Sequence, residues 1–228
     1  MGGGRNMITR IQATDYLCLR SVDQELGPFQ ILIGPNGSGK SAFMDVLAFL
    51  GTLVSEGLHA AVNERSNNFY DLVWGRERSR FGLAIGAEMP ADARATGGPQ
   101  GGTALHYEVG IRLDPGTDVP ALEEERLLVA SPGSDPQSGL KVIDRRRDIV
   151  YFTPRDLQAP PGIRLSQFHS ALGSFPEPER VPAVAWLREL LGGQTQLVRL
   201  EVNALRKPSP PQGGASQAIQ RLESSAGP

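Results

Sequence analysis

One short run of residues limits the possible folds of this chain more than any other part of its sequence: Gly34-Pro35-Asn36-Gly37-Ser38-Gly39-Lys40-Ser41. Apolar residues recur at three- and four-residue spacing over residues 43–54, which is typical of an amphipathic helix. Residues 29–33, which are apolar except for Gln30, precede the run and predict a strand that is buried on both faces. The sequence therefore predicts a strand, a glycine-rich loop and a helix over residues 29–56.

The run matches the pattern G-x-x-x-x-G-K-[ST], which forms a cradle for phosphate groups when it joins a strand to a helix. Gly34, Gly37 and Gly39 are expected to adopt positive φ, so that backbone N–H groups turn inward. The amino end of the helix adds its positive dipole, and the pattern places the Lys40 charge on the β- and γ-phosphates. The hydroxyl of Ser41 is the expected protein ligand of Mg²⁺.

These features predict a site for ATP and Mg²⁺. The candidate cofactor-binding residues are Gly34, Pro35, Asn36, Gly37, Ser38, Gly39, Lys40, Ser41 and Ala42. Ser41 is the candidate metal ligand, and no catalytic residue can be assigned from the sequence.

Composition restricts the class of protein. Of 228 residues 39% are hydrophobic, and 23 basic against 25 acidic residues give a formal net charge of -2, which creates no overall preference for nucleic acid or membrane. Cys18 is the single cysteine, so the chain has no internal disulfide, and we expect this residue to be buried in a strand. The amino terminus lacks the apolar region of a secretory signal, and no apolar run is long enough to cross a bilayer. We therefore expect a cytoplasmic protein.

The middle of the chain is rich in strand patterns. In residues 104–113, apolar and polar side chains alternate, which is typical of a half-buried strand. Further strands are predicted at residues 7–16, 17–26, 81–89, 121–130, 139–144 and 148–152. An antiparallel meander over residues 81–152 is the simplest arrangement of the later ones.

The last part of the chain is less regular. A short amphipathic helix is predicted at residues 184–191, closed by Gly192 and Gly193, and a strand at residues 197–202, so that a helix and a strand occupy 183–202. Residues 207–228 are mostly Pro, Gly, Ser and Gln, which predicts a disordered tail. Residues 1–206 then form one ATP-binding lobe.

The string Ile33-Gly34-Pro35-Asn36-Gly37-Ser38-Gly39-Lys40-Ser41 resembles the ABC-type ATPases of the RecF, SMC and OLD group. Residues 18–29 resemble the amino-terminal hairpin of that group. Residues 71–75, 123–127 and 200–209 resemble the first lobe of its members known as AAA family ATPases.

This resemblance implies an α/β fold, the P-loop NTPase lobe of an ABC-type head with an antiparallel β meander, apparently incomplete. It also implies ATP held between two heads, and hence a second copy or a partner ATPase head. The roles implied are DNA repair, chromosome handling or phage defence, with nucleic acid as a partner by resemblance only.

The family's other motifs have no match here. An apolar strand ending in Asp-Glu would hold the magnesium shell and polarise water, but Asp144 is followed by Arg145, and Glu123–Glu125 precede their apolar residues. Residues 190–194, Leu-Leu-Gly-Gly-Gln, resemble a signature motif, yet Leu stands where the phosphate-contacting Ser belongs and the run ends a helix. A glycine cap explains this run better. The chain thus resembles the amino-terminal part of a longer ATPase, or a shortened relative.

Several residues keep two interpretations. The family also has a glutamine that contacts magnesium; Gln158 and Gln167 are candidates for it, and the sequence does not assign it to either one. The basic residues 145–147 fit a charged hairpin tip better than a nucleic-acid contact. Arg20 is a cation near the nucleotide or an exposed strand charge. The aromatic residues Phe69, Tyr70 and Trp74 either stack on a base or pack between lobes.

Four interpretations of the chain's function remain open from the sequence alone. An ATP hydrolase is favoured by the resemblance, while the missing carboxylates favour a nucleotide-dependent interaction or dimerisation module that does not hydrolyse ATP. A P-loop kinase would require a compact parallel sheet, which the long meander disfavours. A truncated reading frame without independent function is the fourth interpretation.

Overall fold

The computed structural model describes residues 7–89, 103–131, 134, 138–152 and 162–194. Within these residues, eight strands form a single antiparallel sheet in the order β2-β1-β3-β4-β5-β6-β7-β8. The strands are β1 Met7–Tyr16, β2 Leu19–Glu25, β3 Arg80–Glu88, β4 Ala104–Leu113, β5 Pro120–Ala130, β6 Leu140–Arg146, β7 Ile149–Phe152 and β8 Ile163–Arg164. From β3 onward each strand pairs with the next one in sequence, so the predicted meander is confirmed.

Helices cover one face of this sheet. They are α1 Lys40–Ser55, α2 Leu58–Asn63 and α3 Pro182–Glu189. Phe49, Leu50 and Leu53 of α1 are fully buried against the sheet, and the same core includes Tyr107 and Leu127. None of the described helices is both long enough and apolar enough to cross a membrane.

Strand β4 shows how the sequence separates the two faces of the sheet. Leu105, Tyr107 and Val109 are buried in the core, as the alternating pattern predicts. On the other face, Glu108 pairs with Arg126 of the neighbouring strand at 2.7 Å. This polar face carries a ladder of charged side chains across the sheet.

The predicted buried strand at residues 29–33 is wrong. These residues are irregular, and the exposed fractions of Phe29, Ile31 and Ile33 are 80%, 66% and 90%. A strand requires hydrogen bonds to a neighbouring strand, and the described sheet ends at β2 on this side. Apolar composition alone therefore does not bury this segment.

The end of α3 also differs from the prediction. After Glu189 the chain continues as a π-helical turn, Leu190–Gln194, and neither Gly192 nor Gly193 takes the left-handed conformation of a glycine cap. The run still follows a helix, as expected. Gln158, the predicted strand at 197–202 and the predicted tail at 207–228 lie outside the described residues, so the boundaries of the lobe remain predictions.

Arg145 is buried, and its predicted place at a charged hairpin tip is wrong, whereas Arg146 and Arg147 are exposed. Its guanidinium donates to the carbonyl oxygens of Arg147 and His169, each at 2.6 Å. Its Nη1 also lies 3.6 Å from Oε2 of Glu125, which is equally buried. Burial lowers the pKa of Arg145, and the Glu125 carboxylate opposes this shift.

Glu125 in turn holds the segment that follows β8. Its carboxylate accepts hydrogen bonds from the backbone N–H groups of Ala171 and Leu172 at 2.7 and 2.9 Å, and from the hydroxyls of Tyr107 and Ser170 at 2.8 and 2.7 Å. Glu125 belongs to the acidic run that the sequence excluded as the carboxylate end of an apolar strand, and in the structure it is part of the core.

Candidate nucleotide site

The glycine-rich loop makes a tight turn directly before α1. Gly37 and Gly39 have φ of 80° and 93°, a left-handed conformation that favours glycine, as the sequence predicted. Gly34 does not share it, which corrects the prediction for this residue. A Cβ on Gly34 would lie 2.8 Å from Oγ of Ser38, so a larger residue there would require the Ser38 side chain to move.

Lys40 folds back over the loop that precedes it. Its Nζ donates to the carbonyl oxygens of Gly34 and Pro35, both at 2.7 Å, and to Oγ of Ser38 at 3.3 Å. The loop therefore surrounds the Lys40 ammonium group, and the two carbonyl oxygens hold its positive charge at the amino end of α1. A cation held in this position is available to an anion that approaches the amino end of α1.

The first turn of α1 offers donors to the same place. Its first helical hydrogen bond runs from the N–H of Phe43 to the carbonyl of Gly39 at 2.8 Å. The N–H groups of Lys40, Ser41 and Ala42 precede this bond and, as in any first turn, need partners from outside the helix. The side chain of Ser41 is exposed beside them.

A polar cluster fixes α1 against the sheet. The carboxylate of Asp45, one turn into the helix, accepts hydrogen bonds from the Tyr16 hydroxyl of β1 and from Nε of Arg65, the latter at 2.7 Å. The guanidinium of Arg65 also lies over the ring of Phe49, 4.9 Å from its centroid. Burial, with the nearby Asp45 charge, raises the pKa of Tyr16 well above its usual range, so this hydroxyl remains a donor.

A second segment, residues 71–76, lies beside the loop because it contacts the end of β1. Val73 forms an isolated bridge with Tyr16, and the N–H of Leu17 donates to the carbonyl of Leu72 at 2.7 Å. Asp71 in this segment pairs with Arg76 at 3.1 Å and accepts from the hydroxyl of Ser66 at 2.7 Å. Residues that are far apart in sequence thus meet beside the amino end of α1.

Together these segments line an open cavity of about 860 Å³. One wall is the glycine-rich loop and the start of α1, and the other wall is residues 71–76 with the turn between β1 and β2. The lining residues are Leu17, Cys18, Asn36, Gly37, Gly39, Lys40, Ser41, Ala42, Asp71, Val73, Trp74, Gly75 and Arg76. The volume is in the range of small-molecule sites, and the two lining cations outnumber the one carboxylate.

The structure brings most of the predicted residues to this cavity. Of the nine candidate residues 34–42, six line it, whereas Gly34, Pro35 and Ser38 shape the loop behind it through their contacts with Lys40. Trp74, one of the three aromatic residues considered for base stacking, also lines it, while Phe69 packs in the core and Tyr70 lines another depression beside α2. Gln167 is not among the lining residues.

Sequence analysis missed the two charged residues of the second wall, and it placed one residue wrongly. Asp71 and Arg76 were not recognised as site residues, although the sequence around them resembles a family segment. Cys18 is exposed in the turn between β1 and β2 and lines the cavity, which corrects its predicted burial in a strand. A two-residue turn such as Leu17-Cys18 gives little sequence signal that it lines a cavity.

Comparison with known proteins adds little. No protein-family model matches this sequence, and no curated protein is significantly similar to it. One similar solved structure comes from work on ATP-driven dimerization and DNA-stimulated activation of SMC ATPases. It is 16% identical to this chain, covers 57% of this chain and 73% of its own, and superposes with a TM-score of 0.38. A likeness this distant carries no argument about function, which must come from the site itself.

Proposed function

We propose that this protein binds ATP together with Mg²⁺ in the cavity beside the glycine-rich loop. The observation that carries the proposal is the ammonium group of Lys40, held 2.7 Å from two loop carbonyl oxygens at the amino end of α1. The left-handed Gly39 turns the chain into this helix, so that N–H donors, a cation and the Ser41 hydroxyl surround one opening. This combination is complementary to a polyphosphate and its metal ion.

The residues divide the work of binding. The N–H groups of Lys40, Ser41 and Ala42 would meet phosphate oxygens, and Lys40 would replace its carbonyl partners with the stronger charge of phosphate. The hydroxyl of Ser41 would hold Mg²⁺, an ion that prefers oxygen ligands and keeps several waters. The bound Mg²⁺ would neutralise part of the negative charge of the phosphates.

The direct test is calorimetric titration of the purified protein with Mg·ATP. Lys40→Ala should weaken binding by about tenfold to a hundredfold, because it removes one charge-assisted contact. Lys141→Ala is the matched control, since Lys141 is an exposed lysine on β6 that pairs with Asp144 at 3.3 Å, away from the cavity. Equal affinity of Lys40→Ala and the wild type would reject the site.

Within this function, the protein would serve as a nucleotide-binding lobe of a RecF/SMC/OLD-like ATPase that acts in DNA repair, chromosome handling or phage defence. The support is the resemblance around residues 33–41, together with the loop geometry. Release of phosphate from ATP should be measured with and without DNA. Turnover that disappears in Lys40→Ala supports an ATPase, and nucleotide binding without turnover supports a binding module.

A second candidate is dimerisation that depends on nucleotide. It is favoured by the exposed apolar side chains of Phe29, Ile31 and Ile33, which lead directly into the loop. A second copy of this chain is the partner we propose. Sedimentation velocity should then show a larger species with Mg·ATP than without it, and this change should be absent in Lys40→Ala. A monomer under both conditions rejects this candidate.

A further inference from the structure

The cavity extends beyond the residues that bind phosphate. Asn36, Gly37, Gly39, Lys40 and Ser41 form the wall at the amino end of α1, and a second wall is formed by residues 71–76. Besides the ion pair of Asp71 and Arg76, this second wall presents the indole ring of Trp74 and the apolar side chain of Val73. It therefore suits a different part of a ligand than the phosphates.

Trp74 is the large aromatic side chain of this second wall. The guanidinium carbon of Arg20, on β2, lies 5.2 Å from the centroid of its ring, in a cation–π arrangement. Trp74 lines the cavity and Arg20 does not. The Arg20 guanidinium therefore contacts the Trp74 ring without lining the cavity.

The backbone around Trp74 is also fixed. Val73 is buried and bridges to Tyr16, whereas Gly75 and Arg76 take φ of 69° and 58° and turn the chain sharply after the indole. Arg76 is tied to Asp71 across the turn at 3.1 Å. An aromatic ring anchored on both sides of its backbone is preorganised for stacking, because less side-chain freedom is lost on binding.

We propose that Trp74, positioned by Arg20, is the stacking surface for the nucleobase of the bound nucleotide. The proposal rests on the proposed function, since the phosphate end of the same ligand would lie at Lys40 and Ser41. A base has an aromatic face whatever its edges carry, so stacking accepts adenine and guanine alike. ATP and GTP should accordingly bind within about tenfold of each other.

The test separates the base from the phosphates by using two ligands, Mg·ATP and inorganic triphosphate with Mg²⁺, on the full chain. Trp74→Leu should lose about tenfold to a hundredfold in affinity for ATP and should keep its affinity for triphosphate. Trp74→Phe, which keeps a smaller ring, should recover most of the loss. Unchanged ATP affinity in Trp74→Leu overturns the proposal.

Arg20 requires its own comparison because it acts through the ring. Arg20→Gln should weaken ATP binding less than Trp74→Leu does, and Arg20→Lys, which keeps a cation, should restore it. Triphosphate binding should not change in either variant. Tyr70→Leu is the matched aromatic control, because Tyr70 lines a different depression, and it should bind ATP like the wild type.

Fluorescence tests the same contact without relying on the stability of the leucine variant. The chain has two tryptophans, and the other one, Trp186 on α3, is buried in the core. ATP should quench the emission, triphosphate should not, and the ATP response should be absent in Trp74→Phe. Quenching by ATP that persists in Trp74→Phe contradicts the proposal. If the wild type does not bind triphosphate, that result contradicts the proposed phosphate site instead.

Discussion

A Cβ placed on Gly39 would lie 3.4 Å from Sγ of Cys18, so the single thiol of this protein lies against the turn that begins α1. The thiol is exposed and lines the cavity. We therefore predict that saturating Mg·ATP slows alkylation of Cys18 by a maleimide at least severalfold, because bound nucleotide would cover it. Mass spectrometry of the intact protein measures the rate, and Lys40→Ala, which should bind poorly, is the control. Equal rates with and without ATP in the wild type would count against a ligand in this cavity.

Gly39 and Gly37 should respond differently to alanine. Both have positive φ, which costs an L-residue about 1 kcal/mol or more, but a Cβ on Gly39 would also lie 3.0 Å from Cδ2 of Leu19, while a Cβ on Gly37 would meet nothing within 4 Å. Gly39→Ala should therefore lower the free energy of unfolding more than Gly37→Ala does. Urea denaturation of the two variants measures the difference, and the reverse order would contradict the loop conformation.

Glu125 should be among the most sensitive positions in the fold. Glu125→Ala leaves the Arg145 charge buried and removes the acceptor of the Ala171 and Leu172 N–H groups, which should cost about 3–5 kcal/mol of unfolding free energy. Glu124→Ala is the control on the next residue. Glu124 is exposed and pairs with Arg126 at 3.2 Å, so its loss should cost less than about 1 kcal/mol. Similar losses in both variants would mean that the buried pair is not placed as described.

Local patterns predicted the elements of this fold well. The three- and four-residue spacing of 43–54 and the alternation of 104–113 each depend on one element facing one core, and α1 and β4 match them. Burial that depends on distant residues was predicted poorly. The segment 29–33 was predicted to be buried because it is mostly apolar, but burial of a strand depends on a neighbouring strand. Arg145 was predicted to be exposed, but it is buried beside the carboxylate of Glu125.

The same distinction applies to the site. The residues 34–42 form a local pattern whose chemistry can be interpreted without a structure. The second wall reaches the loop only because Val73 bridges to Tyr16, 57 residues earlier in the sequence, and no local pattern in 71–76 predicts that contact. The structure therefore adds the part of the cavity that would hold the rest of a nucleotide.

Glu108 should make the stability of the sheet depend on pH in the acid range. A hydrogen bond to His106, followed by contacts with Arg126, lowers the pKa of Glu108 below its usual value. A carboxylate with a depressed folded-state pKa stabilises the fold above its unfolded pKa of about 4.3, and this contribution is lost as the pH falls from there through the folded value. Thermal unfolding between pH 6 and pH 3 should show a weaker pH dependence in Glu108→Gln than in the wild type. Glu56→Gln, at an exposed position after α1, should follow the wild type.

The exposed segment before the loop gives a test in which the sequence prediction and the structure disagree. If residues 29–33 were a buried strand, Phe29→Ala and Ile33→Ala would each create a cavity and cost 2 kcal/mol or more. Because their exposed fractions are 80% and 90%, we predict losses below about 0.5 kcal/mol in the protein without nucleotide. Phe49→Ala, which removes a fully buried ring from α1, should cost about 3–5 kcal/mol and calibrates the measurement. A large loss in Phe29→Ala would show that this segment is covered in solution, and chemical denaturation at several protein concentrations would then reveal whether a second copy covers it.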